Sequence, residues 1–383
     1  MWWTISVLWA FWCSCALSQK CITPFGKYSS CVSLYDCPDL LNAAKQKPLS
    51  QYVLSFLQKS KCGVKGTFKV CCGPVPDDKP KVNLTTPETS TPSQITANWI
   101  AYSSEDSLPA PRDQCGNENF EHRIYSGEDT EIYEFPWMAL LGYKTNTSPV
   151  NYLCGGSLIN HRYVLTAAHC LVGNYMTKYG PLTNVRLGEY DMSPESIVDC
   201  KYGICADHPQ EISVASTYAH PQYEITNPSR THDIGIVRLA WRAVYTDYVQ
   251  PICLVYGKEP ISDGDETVLF FSGWGRTLEG PPSLVKKKLN LTFFNRENCV
   301  EKYRNKGAFL SDTQLCAGGR FREDGCQGDS GGPLMMKTHK GIWEAIGVGS
   351  FGRGCGLDGW PGVYTSVAHY LGWIENTLQM SNH

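Results

Sequence analysis

The stretch GDSGGP at residues 328–333 does most to decide how this sequence folds and what chemistry it carries. Its glycines let the backbone turn around Ser330. A Gly-rich serine loop is often only a turn, so it needs support from elsewhere in the chain. Two other stretches give that support: LTAAHC at residues 165–170 and HDIGI at residues 232–236.

Together the three stretches supply a histidine, an aspartate and a serine in the order His169, Asp233, Ser330. Alone, a histidine beside a cysteine is usually structural, and an aspartate that opens a strand is usually a cap. A serine hydroxyl is a weak nucleophile until an imidazole takes its proton, and that imidazole needs a carboxylate to fix its tautomer. We therefore interpret Ser330 as nucleophile, His169 as general base and then acid, and Asp233 as the residue that orients the histidine.

Cysteine usage indicates the compartment. The chain has 18 cysteines in 383 residues and no metal-type CxxC pairs, which favours disulfides made in an oxidising environment. The apolar run at residues 5–11 is too short to span a bilayer and is followed by the small residues Ala16 and Ser18, so we predict a signal peptide over residues 1–18 and a secreted product. No later apolar stretch predicts a membrane span.

Charge excludes some partners. The formal net charge is -3, and no long basic block suits a phosphate backbone, so nucleic acid is not an expected partner. The one lysine run, Lys286 to Lys288, is interpreted as a solvated loop or strand end.

Composition divides the chain into four segments, of which the first is the predicted signal peptide of residues 1–18. Residues 19–72 hold six cysteines in a unit too small to bury a core of its own, so crosslinks must stabilise it. Residues 73–123 are rich in Pro, Thr, Ser and charge and are predicted to be a linker with an activation segment. Residues 124–383 form the large domain. N-glycosylation acceptors occur at Asn83, Asn146 and Asn290.

Short apolar runs separated by turn residues predict an all-β, barrel-like large domain. Only the end departs from this pattern, because Val367, Leu371, Ile374 and Leu378 recur at helical spacing and predict a closing amphipathic helix. The predicted strands are 137–143, 157–159, 163–168, 185–188, 234–239, 268–271 and 342–349.

The three stretches, together with CGGS at 154–157 and SGWG at 272–275, resemble the chymotrypsin family from about Cys115 onward. The resemblance implies a double β-barrel with a C-terminal helix, and an oxyanion hole made by the amides of Gly328 and Ser330. It places Asp324 at the floor of a pocket for Arg or Lys. Further substrate-binding residues that it implies are Ser350, Gly352 and Gly362.

The cysteine spacing of residues 19–72 resembles the clip domain of arthropod clotting and immune proteases. Six cysteines permit 15 connectivities, so the pairing is implied by the resemblance alone. In the clip segment it implies Cys21–Cys71, Cys31–Cys62 and Cys37–Cys72. In the large domain it implies Cys115–Cys253, Cys154–Cys170, Cys200–Cys205, Cys299–Cys316 and Cys326–Cys355.

The sequence RIYSG at residues 123–127 resembles the family's activation site. The resemblance implies cleavage after Arg123, with the new amino group of Ile124 pairing with Asp329. It also implies a calcium loop formed by Glu189, Asp191, Glu195 and Asp199, for which the alternative is an ordinary solvated acidic loop. Catalysis itself requires no cofactor.

Three hypotheses on function remain open. The favoured one is a secreted zymogen of a serine endopeptidase in an extracellular cascade of immunity, melanisation or development, in haemolymph or a perivitelline-type fluid. Its implied partners are a protein substrate (prophenoloxidase or the Toll-ligand precursor), an upstream activating protease and serpin inhibitors. The second is a binding protein with a silent protease domain, and the third is a digestive protease, against which the clip domain and linker argue.

Overall fold

The structure is a computed structural model in which the chain divides into two compact units, Met1–Ser90 and Thr91–His383. It describes residues 20–22, 28–45, 57, 60–62, 69–72, 106–117, 129–145, 149–194, 198–255, 267–275, 281–319, 329–353 and 357–381.

The described residues of the first unit form a small antiparallel sheet and include the helix Pro38–Lys45. Its strands lie in the order β1-β2-β4-β3, and the buried side chains Cys37, Leu40 and Val70 form its described core. Three disulfides hold it, Cys21–Cys71, Cys31–Cys62 and Cys37–Cys72, which are the pairs that the clip resemblance implies. The elements are β1 Lys20–Ile22, β2 Tyr28–Ser33, α1 Pro38–Lys45, β3 Lys61–Cys62 and β4 Lys69–Cys71.

The second unit begins its regular structure with a closed antiparallel barrel. Strands β11, β12, β7, β6, β5 and β8 pair in that order and return on themselves, so no edge is left open. The bounds are β5 Met138–Tyr143, β6 Asn151–Leu158, β7 Tyr163–Thr166, β8 Leu182–Leu187, β11 Gln210–Ala219 and β12 Gly235–Leu239. Two short helices follow β7, α2 Ala168–Leu171 and α3 Asn174–Tyr179.

A small hairpin projects from this barrel. Strands β9 Cys200–Lys201 and β10 Ile204–Cys205 are joined by Tyr202 and Gly203, both of which have positive φ, at 51° and 81°. A two-residue hairpin turn of this hand requires positive φ at both positions. The Cys200–Cys205 disulfide closes the hairpin.

A second sheet follows, in the order β15-β14-β17-β18-β19-β16, with β13 paired to β18. The amide of Phe294 donates to the Cys316 carbonyl and that of Gly318 to the Thr292 carbonyl, which joins its two ends. The bounds are β13 Cys253–Leu254, β14 Leu269–Gly273, β15 Lys287–Leu291, β16 Gln314–Ala317, β17 Pro333–Lys337, β18 Trp343–Phe351 and β19 Gly362–Ser366, with α4 Arg296–Arg304 and α5 Val367–Met380.

Aromatic side chains join the two barrels into one core. Phe135 lies edge-on to Trp343 with ring centroids 5.1 Å apart, and the Trp137 indole nitrogen lies 3.0 Å from the sulfur of Met335. All four side chains are fully buried. Since Phe135 and Trp137 precede β5 while Met335 and Trp343 lie in the second sheet, their packing fixes one barrel against the other.

The all-β prediction and the closing helix are confirmed, with boundary differences. Residue Ala168 opens α2 instead of ending a strand, and β6 begins at Asn151 instead of Ser157. Sequence reading missed β11 because its ten residues expose polar side chains in alternation and contain no apolar run.

The solvated interpretation of the lysine run is wrong. Lys287 and Lys288 lie in β15, and the side chains of Lys286 and Lys288 are buried. The Lys288 ammonium lies 2.9 Å from both carboxylate oxygens of buried Glu134. A buried ammonium is tolerated here because it is paired, which a pattern of residue types cannot reveal.

Residues 106–117, upstream of Arg123, belong to the second unit and pack against its barrels. The amide of Ala110 donates to the Ile159 carbonyl, and Arg112 forms an ion pair with Glu344 at 2.7 Å. A disulfide joins Cys115 to Cys253. Among the described residues, no helix is long and apolar enough to cross a membrane.

Candidate active site

His169 and Asp233 form a buried, doubly hydrogen-bonded pair. The backbone amide of His169 donates to one carboxylate oxygen of Asp233 at 2.9 Å, and the imidazole Nδ1 lies 2.8 Å from the other. Because an ionised carboxylate only accepts, Nδ1 carries the proton in this contact. When the imidazole is neutral, the opposite ring nitrogen, Nε2, is the one that can take a proton from a hydroxyl.

Local folding sets this geometry. His169 lies in α2, which begins two residues after the end of β7, and Asp233 lies two residues before the start of β12, which pairs with β7. The two side chains therefore come from segments next to neighbouring strands of the first barrel. From the second sheet, the Ser350 hydroxyl donates to the Asp233 carboxylate and the Thr365 hydroxyl donates to the Asp233 carbonyl at 2.8 Å.

Burial opposes ionisation of Asp233, yet the pKa of this carboxyl lies below its ordinary value, because the neighbouring His169 and the hydrogen bonds from His169 and Ser350 outweigh the loss of solvent. The carboxylate therefore stays charged at neutral pH, as a group that orients and stabilises an imidazolium must. Sequence reasoning found Asp233 and Ser350 but missed Thr365, which no motif marks.

Ser330 is held where the two barrels meet. Its carbonyl accepts a 2.8 Å hydrogen bond from the Gly155 amide in β6, and the amide of the next residue, Gly331, donates to the Gly349 carbonyl in β18. The Cys170 sulfur lies 3.7 Å from His169 Nε2 and 3.6 Å from the Ser330 carbonyl oxygen. The Cys154–Cys170 disulfide thus ties the serine turn to the histidine.

Gly331 has to be glycine. Its φ is 84°, and a Cβ atom there would lie 2.2 Å from the hydroxyl oxygen of Thr166. Both facts follow from the sharp turn of the backbone that directly follows Ser330. This is the conformational role that the GDSGGP stretch suggests for its glycines.

Several predicted residues lie outside the described residues: Asp324, Gly328, Cys326 and Cys355, together with Arg123 and Ile124, Glu195, Asn83 and Asn146. Of the remaining pocket residues, Gly352 is exposed and Gly362 is buried opposite Ala317. The predicted acceptor Asn290 lies in β15 opposite Phe270, and its side-chain oxygen is buried without a hydrogen-bond partner.

Asp329, the predicted partner of a new amino terminus, is described. Its carboxylate accepts a 2.6 Å hydrogen bond from the Gly275 amide. A Cβ atom at Gly273 or Gly275 would lie within 2.2 Å of that carboxylate, so the SGWG stretch makes room for it. The pairing with Ile124 stays a prediction.

In the acidic loop, Glu189 and Asp199 are buried. Burial raises the pKa of Glu189 to about 7, Arg186 opposes this, and the adjacent Asp199 adds to it. Two crowded carboxylates are hard oxygen donors of the kind calcium prefers. Within the described part of the chain, however, the loop's carboxylates, Asp191 included, do not converge as three ligands within 4.8 Å, so they fit calcium in donor type but complete no site.

A second cluster carries no metal argument. Cys154, His169 and Cys170 are the one group of three potential ligand atoms within 4.8 Å among the residues the structure describes. Both sulfur atoms are bonded to each other in the Cys154–Cys170 disulfide, so they cannot act as thiolate ligands.

Two antiparallel barrels that meet at a buried aspartate–histidine pair define a class of protein, the trypsin-like serine endopeptidases, which are hydrolases. The family model described as Trypsin matches residues 124–374, and the one described as Regulatory CLIP domain of proteinases matches residues 21–72. The chain therefore belongs to the trypsin family, among the clip-domain serine proteases.

Two relatives and one crystal structure support this family assignment. The chain is 52% identical over 378 residues to "Phenoloxidase-activating enzyme 1" of Spodoptera litura, covering 98% of this chain and 97% of that protein. It is 37% identical over 372 residues to "Spaetzle-processing enzyme" of Drosophila melanogaster, covering 91% and 88%. The crystal structure of the Drosophila Grass clip serine protease of the Toll pathway matches with a TM-score of 0.58 and 28% identity, covering 95% and 98%.

Proposed function

We propose that the protein is a secreted zymogen that is cut after Arg123 and then cleaves precursor proteins after Arg or Lys in an extracellular cascade. The observation that carries the proposal is the buried His169–Asp233 pair beside the Ser330 turn. Seven disulfides among the described residues support an oxidising, extracellular compartment.

In the proposed mechanism Ser330 attacks the scissile carbonyl while His169 Nε2 takes its proton, and Asp233 stabilises the resulting imidazolium. The amides of Gly328 and Ser330 stabilise the developing oxyanion. Asp324 selects Arg or Lys, since a buried carboxylate rewards a cationic side chain and is left unpaired by an apolar one. His169 then returns its proton to the leaving amine, which leaves an ester on Ser330. Water, deprotonated by His169, hydrolyses that ester, and the proton returns to the Ser330 oxygen as the carboxylate product leaves.

Activation is proposed to depend on an upstream protease, and serpins are proposed as inhibitors. After a cut at Arg123, Cys115–Cys253 would keep light and heavy chains joined, so they should separate on a gel only after reduction. Arg123→Ala should stay uncut and inactive. An active, uncut Arg123→Ala protein would contradict the scheme.

Prophenoloxidase is the preferred substrate, because the relative at 52% identity is named as a phenoloxidase-activating enzyme. The Toll-ligand precursor is second, on the strength of the Spaetzle-processing relative. The test is to incubate the cleaved protein with each proenzyme and to sequence the new amino termini, with Ser330→Ala as the matched control. Cleavage of neither precursor would reject both assignments.

The clip unit is proposed to dock a partner while the linker gives reach. Deleting residues 21–72 should then spare hydrolysis of a small Arg ester and depress cleavage of the natural precursor. Equal loss on both substrates would instead mean that the clip unit only supports folding.

A structural calcium ion in the loop of Glu189, Asp191, Glu195 and Asp199 belongs to the same proposal. It predicts that chelation lowers thermal stability and speeds self-cleavage. Unchanged melting and unchanged self-cleavage after chelation would reject it.

A further inference from the structure

The helix α5 has no part in the mechanism above, yet one of its side chains reaches the residue that precedes Asp233. The Tyr370 hydroxyl lies 2.9 Å from Nδ1 of His232 and 3.1 Å from the hydroxyl of Thr313. Tyr370 itself is buried. A buried tyrosine hydroxyl normally finds a polar partner, and here one of its partners is the neighbour of Asp233 in the chain.

The backbone around Asp233 makes a tight turn that depends on His232. The amide of Ile234 donates to the His232 carbonyl at 2.8 Å, which closes a three-residue γ-turn with Asp233 at its centre. His232 has a φ of 59°, in the left-handed region, which a non-glycine residue keeps only where its surroundings impose it. The direction of the Asp233 side chain therefore depends on the contacts that hold His232.

Two kinds of contact hold the His232 ring. Its face stacks on the ring of His220, with centroids 4.9 Å apart and planes 10° from parallel, and its Nδ1 meets the Tyr370 hydroxyl. Stacking fixes the plane of a ring but lets the ring slide and rotate within that plane. A hydrogen bond is directional, so the Tyr370 hydroxyl sets the orientation of the ring within its plane.

Tyr370 acts from the same continuous stretch of chain as Thr365. Strand β19 passes directly into α5, and this stretch carries both side chains. The Thr365 hydroxyl donates to the Asp233 carbonyl at 2.8 Å, while the Tyr370 hydroxyl meets His232. Two consecutive residues of the γ-turn are thus tied to one regular segment that leads out of the second sheet, whereas His169 comes from the first barrel.

We propose that Tyr370 is a positioning residue for catalysis: through His232, its hydroxyl fixes the γ-turn that aims the Asp233 carboxylate at His169. It contacts neither the substrate nor the reacting atoms. Without this restraint the carboxylate is less well placed and stabilises the imidazolium of the transition state less. Because substrate binding does not involve it, the effect falls on kcat and leaves KM unchanged. The inference concerns the catalytic step, whichever precursor is cut.

The first test compares two variants that each remove the hydroxyl of one buried tyrosine. In the activated full chain, Tyr370→Phe should lower kcat for a peptide anilide ending in Arg by about fivefold, as expected for one lost hydrogen bond, with KM unchanged. Tyr163→Phe is the matched control, because Tyr163 is fully buried and its hydroxyl lies 2.7 Å from that of Ser381, at the far end of α5. An unchanged kcat for Tyr370→Phe, or an equal loss in the control, would overturn the inference.

Variants of His232 test whether Tyr370 acts through this residue, and they serve equally if Tyr370→Phe folds poorly. His232→Asn carries an amide as far from the backbone as Nδ1, can still bond to Tyr370 and tolerates a positive φ, so it should keep kcat close to wild type. His232→Ala should lower kcat about as much as Tyr370→Phe. The double variant His232→Ala with Tyr370→Phe should lose no more than either single one, because both changes remove the same contact. Losses that multiply would overturn the inference.

A spectroscopic test needs no activity and can use the uncut chain. The proton on His169 Nδ1 is hydrogen-bonded to a carboxylate, which moves its magnetic resonance to low field. Tyr370→Phe should shift or broaden that signal and Tyr163→Phe should leave it in place, and an unchanged signal in Tyr370→Phe would contradict the proposed role. Absence of hydrolysis and of fluorophosphonate labelling at Ser330 in wild type would reject the proposed function, and this comparison would still decide the role of Tyr370.

Discussion

In the clip unit, the described buried core consists of Cys37, Leu40 and Val70, and three disulfides join its strands and helix. In the protease unit, one apolar core runs through both barrels, from Phe135 to Leu378. A small unit cannot bury enough surface to offset its conformational entropy, whereas a large one can. Crosslinks are therefore a requirement in the first unit and a supplement in the second.

The largest expected effect is on the catalytic rate of the protease unit. Asp233→Asn should leave the core packing intact but remove the charge that fixes the His169 tautomer. A loss of about 10⁴-fold in kcat is expected, the size found for this change in a related triad. Hydrolysis of a small Arg ester measures it. A loss below tenfold would show that Asp233 does not orient the histidine.

The second prediction concerns the folding stability of the clip unit alone. Removing Cys31–Cys62, whose cysteines are 31 residues apart, by Cys31→Ser and Cys62→Ser should cost about 2–5 kcal/mol, enough to unfold so small a unit. Limited proteolysis should cut the clip unit rapidly, while ester hydrolysis stays unchanged.

The matched control lies in the other unit. Cys200→Ser with Cys205→Ser opens a loop of 5 residues, and loop-closure entropy makes this about 1.5 kcal/mol less costly than opening the clip loop. Protease-unit melting should shift only slightly. Comparable damage in both units would mean that the clip unit depends on its disulfides no more than the protease unit does.

The third prediction concerns the buried ion pair of the protease unit. Lys288→Met leaves the Glu134 carboxylate buried without its cation and should cost about 3–5 kcal/mol of unfolding free energy. Lys288→Met with Glu134→Leu should recover most of that loss, because two apolar groups need no partner. Thermal melting of the protease unit measures both. A double variant as unstable as the single one would mean that packing, not charge, sets the cost.

These contrasts also show what the sequence can predict. The motifs predicted His169, Asp233 and Ser330 because their chemistry needs fixed residue types in a fixed local context, and the structure pairs the first two. Apolar runs predicted most barrel strands. The burial of Lys288 could not be predicted from the sequence, because its partner Glu134 lies 154 residues away along the chain.

The smallest expected effect is a pH dependence confined to the protease unit, since the described clip core holds no titratable side chain. Behind Asp233, His220 stacks on His232 with ring centroids 4.9 Å apart, and His232 Nδ1 lies 2.9 Å from the Tyr370 hydroxyl. The rings of Tyr370 and Trp373 also pack on His220. Burial, with a contribution from His232, lowers the pKa of His220 below 6.5.

Because the folded pKa of His220 is lowered, the unfolded chain binds more protons than the folded one between that value and about 6.5, and stability falls as pH drops through this window. His220→Phe keeps a ring beside His232, Tyr370 and Trp373 but cannot be protonated. Its protease unit should therefore lose less stability than that of wild type between neutral pH and pH about 5. The clip unit should melt alike in both proteins. Parallel melting curves for the two protease units across this pH range would show that His220 does not set their acid sensitivity.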